Sequence, residues 1–333
     1  MTTEAVQQKI NWYRTPIDRD LLAHLNRRSD LKGFAQTLGH LGLLAATAGL
    51  AFYAATNWSI PALLAVLFLH GTFHAFLLNG FHELCHGSVF KTKWLNGFFL
   101  AIFSFLGGSN PVMFWTSHQE HHKYTLHPPD DLEVVLPVKI DLASFLKYSF
   151  INPWGLVERI KVLTRQSRGV LKGEWELALF PDTEPVQRQR LFTWSRVLLF
   201  GHLAIALVSL AFGLWLVPVL VTLAPFYGGL LLYLCNNTQH VGLQDNAPDF
   251  RLCTRTIEIN PVFRFLYWHM NYHIEHHMYA AVPCYNLRAL HKAIAHDLPH
   301  CPNGLLETWR EIIAILRRQR VEPGYEFVPA LPA

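Results

Sequence analysis

The sequence predicts an all-α integral membrane protein with four transmembrane helices in two hairpins and a cytoplasmic helical cap that carries a metal centre. Three observations lead there: long apolar runs, a one-sided distribution of lysine and arginine, and three tight clusters of histidine. Of 333 residues, 51% are hydrophobic and only 16% are charged. That balance is unusual for a soluble enzyme of this length.

The polar arm of residues 1–30 comes first. It lacks the short apolar core and small-residue cleavage site of a signal peptide, so the first span is expected to direct insertion itself. Residues 34–56, 60–81, 197–215 and 217–234 are apolar runs close to the ~20 residues that cross a bilayer as a helix. Tight turns around Asn57-Trp58-Ser59 and Trp215 to Pro218 join them into two hairpins. Neither turn contains lysine or arginine, whereas the N-terminal arm, the long central segment and the C-terminal third hold nearly all of them. The positive-inside rule therefore places both termini and the cap, residues 87–196 and 237–320, in the cytoplasm. The net charge of +4 is a topological signature, and no nucleic-acid partner is expected.

A fifth apolar run, residues 94–108, is too short to span. As a helix it reaches about 22 Å against a hydrocarbon core of ~30 Å. Spanning would also separate the first histidine cluster from the second. The run is therefore expected to lie at the interface or re-enter on the same face. Leu142 to Ile151 and Leu156 to Leu163 read as amphipathic helices on the membrane surface. Leu305, Leu306, Trp309, Ile312, Ile313 and Leu316 recur at helical spacing and predict a helix packed on the cap. No internal repeat or long linker divides the chain, so residues 1–333 form one domain. Cys85, Cys235, Cys253, Cys284 and Cys301 show no paired spacing, which argues against disulfides and iron–sulfur clusters.

The chemistry is carried by His82-Glu-Leu-Cys-His86, His118-Gln-Glu-His121-His122 and His273-Ile-Glu-His276-His277. Neutral imidazole is the commonest transition-metal ligand, and residues three and four apart on a helix share a face. Eight rings on three short helices predict a dinuclear centre. Each cluster also holds an acid, Glu83, Glu120 or Glu275, expected to orient a neighbouring ligand through its second ring nitrogen. The first cluster alone satisfies H-E-x-x-H, the zinc peptidase motif. That reading needs a third ligand, commonly an acid on a later span, and the later spans contain none.

The order H-x-x-x-H, H-x-x-H-H, H-x-x-H-H, with its placement relative to the apolar runs, resembles the membrane fatty acid desaturase and hydroxylase superfamily. The similarity covers residues 34–291. Asn236-Asn-Thr-Gln-His240 matches the family's additional site, which implies His240 as a ninth metal ligand and Asn236 as a residue near one iron. The stretch from Thr254 through Tyr272 resembles a bacterial branch, which implies the inner membrane. The resemblance implies two irons with O2 as co-substrate, and desaturation of an acyl chain carried on a lipid, coenzyme A or carrier protein. Related hydroxylases, oxidative decarboxylases and small-metabolite oxygenases are the alternative, and a zinc hydrolase is the more distant one. No dinucleotide fingerprint or cofactor module is present, so electrons are expected from a separate ferredoxin or cytochrome and reductase system.

Of the remaining histidines, His269 is the candidate to contact substrate or orient a ligand. His127 is a weaker one. His40, His70, His74 and His202 lie in the spans and are expected to pack and hydrogen-bond, with His74 able to line a substrate channel. His24, His291, His296 and His300 read as surface or cap residues. Arg251, Arg255 and Arg264 either serve topology or meet a phosphate.

Overall fold

The computed structural model describes residues 9–136, 138 and 140–332. The first eight residues of the polar arm lie outside the described residues. Among the described residues the structure is helical, with isolated bridges and no strand.

After α1 (Arg19–Leu25), Ser29 caps α2 (Asp30–Asn57), its hydroxyl accepting from the Lys32 amide. Trp58 and Ser59 turn the chain and Pro61 starts α3 (Ile60–Ala75), which continues through Phe76 into α4 (Leu77–Cys85). The α3–α4 pair is a single apolar stretch of 26 residues, long enough to span; α2 and the later α10 (Pro185–Ala211) also pass on length and hydropathy. Only 22–33% of these three apolar stretches is buried within the protein. Apolar side chains such as Leu64, Phe200, Leu207 and Val208 are exposed around them. Helices that are apolar on every side and mostly uncovered belong in lipid.

Between the spans, α5 (Lys93–Leu106) and α6 (Pro111–Tyr124) meet at an angle of 107°. Gly107 and Gly108 make the bend, with Gly108 at φ +60°. Asn110 then caps α6, its Oδ1 accepting from the Val112 and Met113 amides while its Nδ2 donates to Leu191 O and Ser195 Oγ on α10. The bend returns α6 to the end of α4, so the pair is not a straight span.

The predicted surface helices are α7 (Leu142–Ser149) and α8 (Pro153–Ser167), followed by α9 (Glu174–Leu179). The second predicted hairpin differs from expectation. α10 ends at Ala211 rather than 215, because Gly213 takes φ +71° and the Leu214 amide folds back to Ser209 O. The run 217–234 is not one helix but α11 (Leu216–Val221), a 3-10 turn at Ala224–Phe226 and α12 (Leu230–Asn236). Pro225 lacks an amide donor, and the polar backbone groups freed at the break are taken elsewhere. Phe226 O accepts from the Asn152 amide at 2.7 Å and the Gly228 amide donates to Phe150 O at 2.9 Å. Gly228, at φ +72°, lies so close to the second span that a Cβ there would meet Phe68 O at 2.6 Å.

The cap is completed by α13 (Phe250–Cys253), α14 (Pro261–Leu266), α15 (His273–Met278), α16 (Leu287–Ile294) and α17 (Gly304–Val321). The main core joins it to the spans: Phe81, Phe90, Phe99 and Phe103 from α4, α5 and their connection pack with Trp268, Tyr272 and Ile274. Trp268 Nε1 donates to His40 Nδ1, while His40 Nε2 lies 2.9 Å from Phe73 O. The predicted helix at 305–316 is α17, and its Trp309 Nε1 donates to Leu234 O.

Candidate metal centre

α4, α6, the segment after α12, and α15 converge, and their histidines fall into two groups. His82, His86, His118, His122 and His276 form one; His121, His240, His273 and His277 form the other. Within each group the candidate ligand atoms lie within 4.8 Å of one another. Helical geometry explains the sorting. His118 and His122, four apart on α6, face the first group while His121 turns to the second; on α15 His273 and His277 face the second while His276 crosses to the first. The first motif gives both its rings to the first group, and His240 raises the second from three to four.

The nitrogens converge as lone pairs would around a cation. His122 Nε2 lies 3.0 Å from His118 Nε2 and 3.2 Å from His276 Nε2, and His82 Nε2 is 3.0 Å from the latter. In the second group His273 Nε2 is 3.0 Å from His240 Nε2 and 3.2 Å from His277 Nε2. On several rings the other nitrogen must carry the proton, because it faces an acceptor. His118 Nδ1 donates to Glu133 at 2.8 Å, His121 Nδ1 to Asp131 at 2.8 Å and His240 Nδ1 to Cys253 O at 2.9 Å. Thr125 gives its hydroxyl proton to His121 O, so it accepts from His277 Nδ1. The inward Nε2 atoms of these rings are then unprotonated, and their mutual approach fits metal ions.

Burial acts in the same direction. His118, His122, His273, His276 and His277 are held well below the ordinary imidazole range by desolvation, then by neighbouring histidines; His240 falls to about 3. These rings are neutral at pH 7, the form in which imidazole can bind a metal. His121 differs: burial disfavours its charge, but the bond to Asp131 and the nearby carboxylates outweigh it and raise its pKa. Asp131 is pulled upward by burial yet held below its ordinary value by His121 and the Leu126 and Glu133 amides. Burial leaves Glu133 raised, although Ser117 also donates to it at 2.6 Å.

Asp131 and Glu133 were not singled out by sequence. Of the acids that were, Glu83 is buried with Oε1 3.5 Å from His276 Nδ1. Glu120 corrects the expectation: it pairs with Lys123 at 2.6 Å, and among the described residues it bonds to no histidine of either group. Glu275 lies behind α15 rather than on a ligand ring, accepting from Thr256 Oγ1 at 2.5 Å and paired with His291 Nδ1 at 2.5 Å. His291 is accordingly a mostly buried brace, not a surface residue. Its role was missed because its partner is sixteen residues away on another helix.

Asn236 keeps a buried Oδ1 with no partner one helical turn before His240. It lines a cavity together with His74. His269 lies outside both groups, in the left-handed region at φ +60°, with Nδ1 unpartnered. Trp268 before it takes φ +52°, so two consecutive residues reverse the chain ahead of α15. His127 packs edge-on against Trp12, its Nδ1 2.8 Å from Thr125 O. The three arginines are engaged in structure, two of them with acids. Arg251 pairs with Asp249 and Asp297, Arg264 donates to Tyr272 Oη, and Arg255 pairs with Glu311 while donating to Thr238 O and Val241 O. The last of these fixes the turn that presents His240.

Apolar helices and a buried, histidine-lined centre able to hold metal define an integral membrane protein with a candidate metal site. The model of the fatty acid desaturase family matches residues 56–305, and the chain belongs to that family. Comparison with curated proteins finds no significant match.

Proposed function

We propose that the protein is an O2-dependent desaturase of acyl chains in which all nine histidines hold two irons, five on one and four on the other. The observation that carries this reading is the sorting of His82, His86, His118, His122 and His276 from His121, His240, His273 and His277. Five convergent imidazoles exceed the three protein ligands of a catalytic zinc site, which weighs against a peptidase. Bound there, iron would supply the redox chemistry for taking hydrogen from an unactivated carbon.

The chain's own residues do the rest. Asp131, Glu133, Thr125 and the Cys253 carbonyl hold ring protons at Nδ1, which keeps the inward nitrogens free. Phe81, Phe114 and Trp268 surround the first motif with apolar surface, which limits water at the site. The broken fourth apolar segment, Leu216 to Asn236, completes a four-span topology in this reading. The positive-inside rule puts the centre and both termini in the cytoplasm, within one domain. Electrons come from a separate carrier such as a ferredoxin or a cytochrome and reductase pair.

The test is the lipid and metabolite profile of cells expressing the protein, with and without O2. A new unsaturated acyl product that requires O2 supports the reading. A hydroxylated or chain-shortened product assigns a related oxygenase instead, and a product formed equally without O2 overturns both.

A further inference from the structure

A cavity of about 290 Å³ lies between the second span and the broken fourth segment. That is near the lower end of ordinary ligand pockets, ~300–1,000 Å³. Leu77, Phe81 and Leu232 give it apolar walls, and Phe81 directly precedes His82. Asn236, one turn before His240, places it beside the histidine centre. His74 and Arg159 are the features an acyl tail does not explain.

Arg159, on α8, reaches the bend between α5 and α6, where its Nη1 donates to the Gly108 and Gly107 carbonyls. Its guanidinium also lies over Phe226 at 5.8 Å. Among the described residues no carboxylate pairs with it, and neither Nε nor Nη2 has a hydrogen-bond partner. The adjacent Glu158 is turned to Lys161 at 2.7 Å. By contrast Arg165, Arg251 and Arg255 each hold an acid. Capping two carbonyls needs one edge of the guanidinium; the planar fork leaves further donors. His74 is 3% exposed and its Nε2 has no partner. An unpaired cation and an unsatisfied imidazole beside apolar walls are costly until an anion arrives.

We propose that this cavity takes the oxyanion headgroup of an amphiphilic substrate, a carboxylate or a phosphate, on Arg159 with His74 as second donor. The polar end of the substrate, not its terminal methyl, then sits beside the histidine centre. This rests on that centre being where the substrate reacts.

The experiment is calorimetric titration of the full-length protein in non-ionic detergent with decanoate, decyl phosphate and decan-1-ol, each chain being the same length. The expected result is that at least one anion binds about tenfold or more tighter than the alcohol, as a charge-assisted bidentate contact allows. A preference for decanoate assigns a free acid, and one for decyl phosphate assigns a phosphate headgroup. Arg159→Met should remove the preference, so that its alcohol and anion affinities become equal; Arg159→Lys, which can still cap the carbonyls, should retain part of it. Equal binding of alcohol and both anions to the unmutated protein overturns the proposal without any variant. Iron content measured on the same samples separates the two readings: a charge preference in protein that takes up no iron sinks the di-iron reading alone, and iron without a preference sinks this one alone.

Discussion

The two histidine groups share two helices yet are braced differently. In the four-ligand group, His121, His240 and His277 each have Nδ1 fixed, by Asp131, the Cys253 carbonyl and Thr125. In the five-histidine group, among the described residues, only His118 has a close acceptor for its Nδ1, Glu133, while Glu83 stands 3.5 Å from His276. Asp131 is held ionised by two amides and a histidine, whereas burial raises Glu133. In the proposed di-iron arrangement the smaller group offsets its lower number of rings with firmer orientation, and the larger relies on number. The four-ligand group should therefore be the more rigid and the more sensitive to loss of a single bracing residue.

The largest effect that would sharpen this contrast is at Asp131. Asp131→Asn should lower metal affinity about 10–100-fold, with the loss confined to one of two metals. Glu133→Gln should cost less at the other. Competition with a chelator measures both, and equal losses would erase the distinction.

Acid should act next. Apart from His121, whose pKa is raised, the histidines of both groups outside the spans have depressed pKa values, so these rings take up fewer protons in the folded state than in the unfolded chain below pH 6.5. Their contribution is complete above 6.5 and is lost as pH falls toward about 3, the value for His240. The melting temperature of metal-stripped protein should fall across that window, because the depressed rings outnumber His121 and Glu133, whose raised pKa values act in the opposite sense. A rise on acidification would contradict the lone-pair geometry.

The smallest effect is at Glu120. Glu120→Gln removes only an exposed pair with Lys123, worth about 0–1 kcal/mol, and should leave metal content unchanged. His296→Ala, at an exposed position, should do the same. Metal loss in either variant would mean that the histidine sorting is not specific.

What the sequence revealed and what it hid divide along the same line. Ligands repeat at helical spacing within a few residues, so the three motifs declared themselves, and α2, α3–α4 and α17 followed from local hydropathy. The braces do not share that locality. Asp131 reaches His121 only because Leu126 takes φ +57° and the chain folds back, the Asp131 amide bonding to His127 O. An acid placed beside a histidine in sequence, such as Glu120, points away on the helix instead. The break in the fourth apolar segment depends on backbone bonds to Phe150 and Asn152, more than seventy residues earlier, which no hydropathy window contains. Arg159 escaped notice for the same reason, since an arginine on an amphipathic helix reads as a surface charge until its empty surroundings are seen.

The most direct test of the five-and-four arrangement is metal content per chain in protein purified anaerobically in detergent, compared with His240→Ala. The account predicts about two irons in the unmutated protein and about one in the variant, with membrane insertion unaffected. Equal metal in both, or a single zinc that resists chelation, would contradict it.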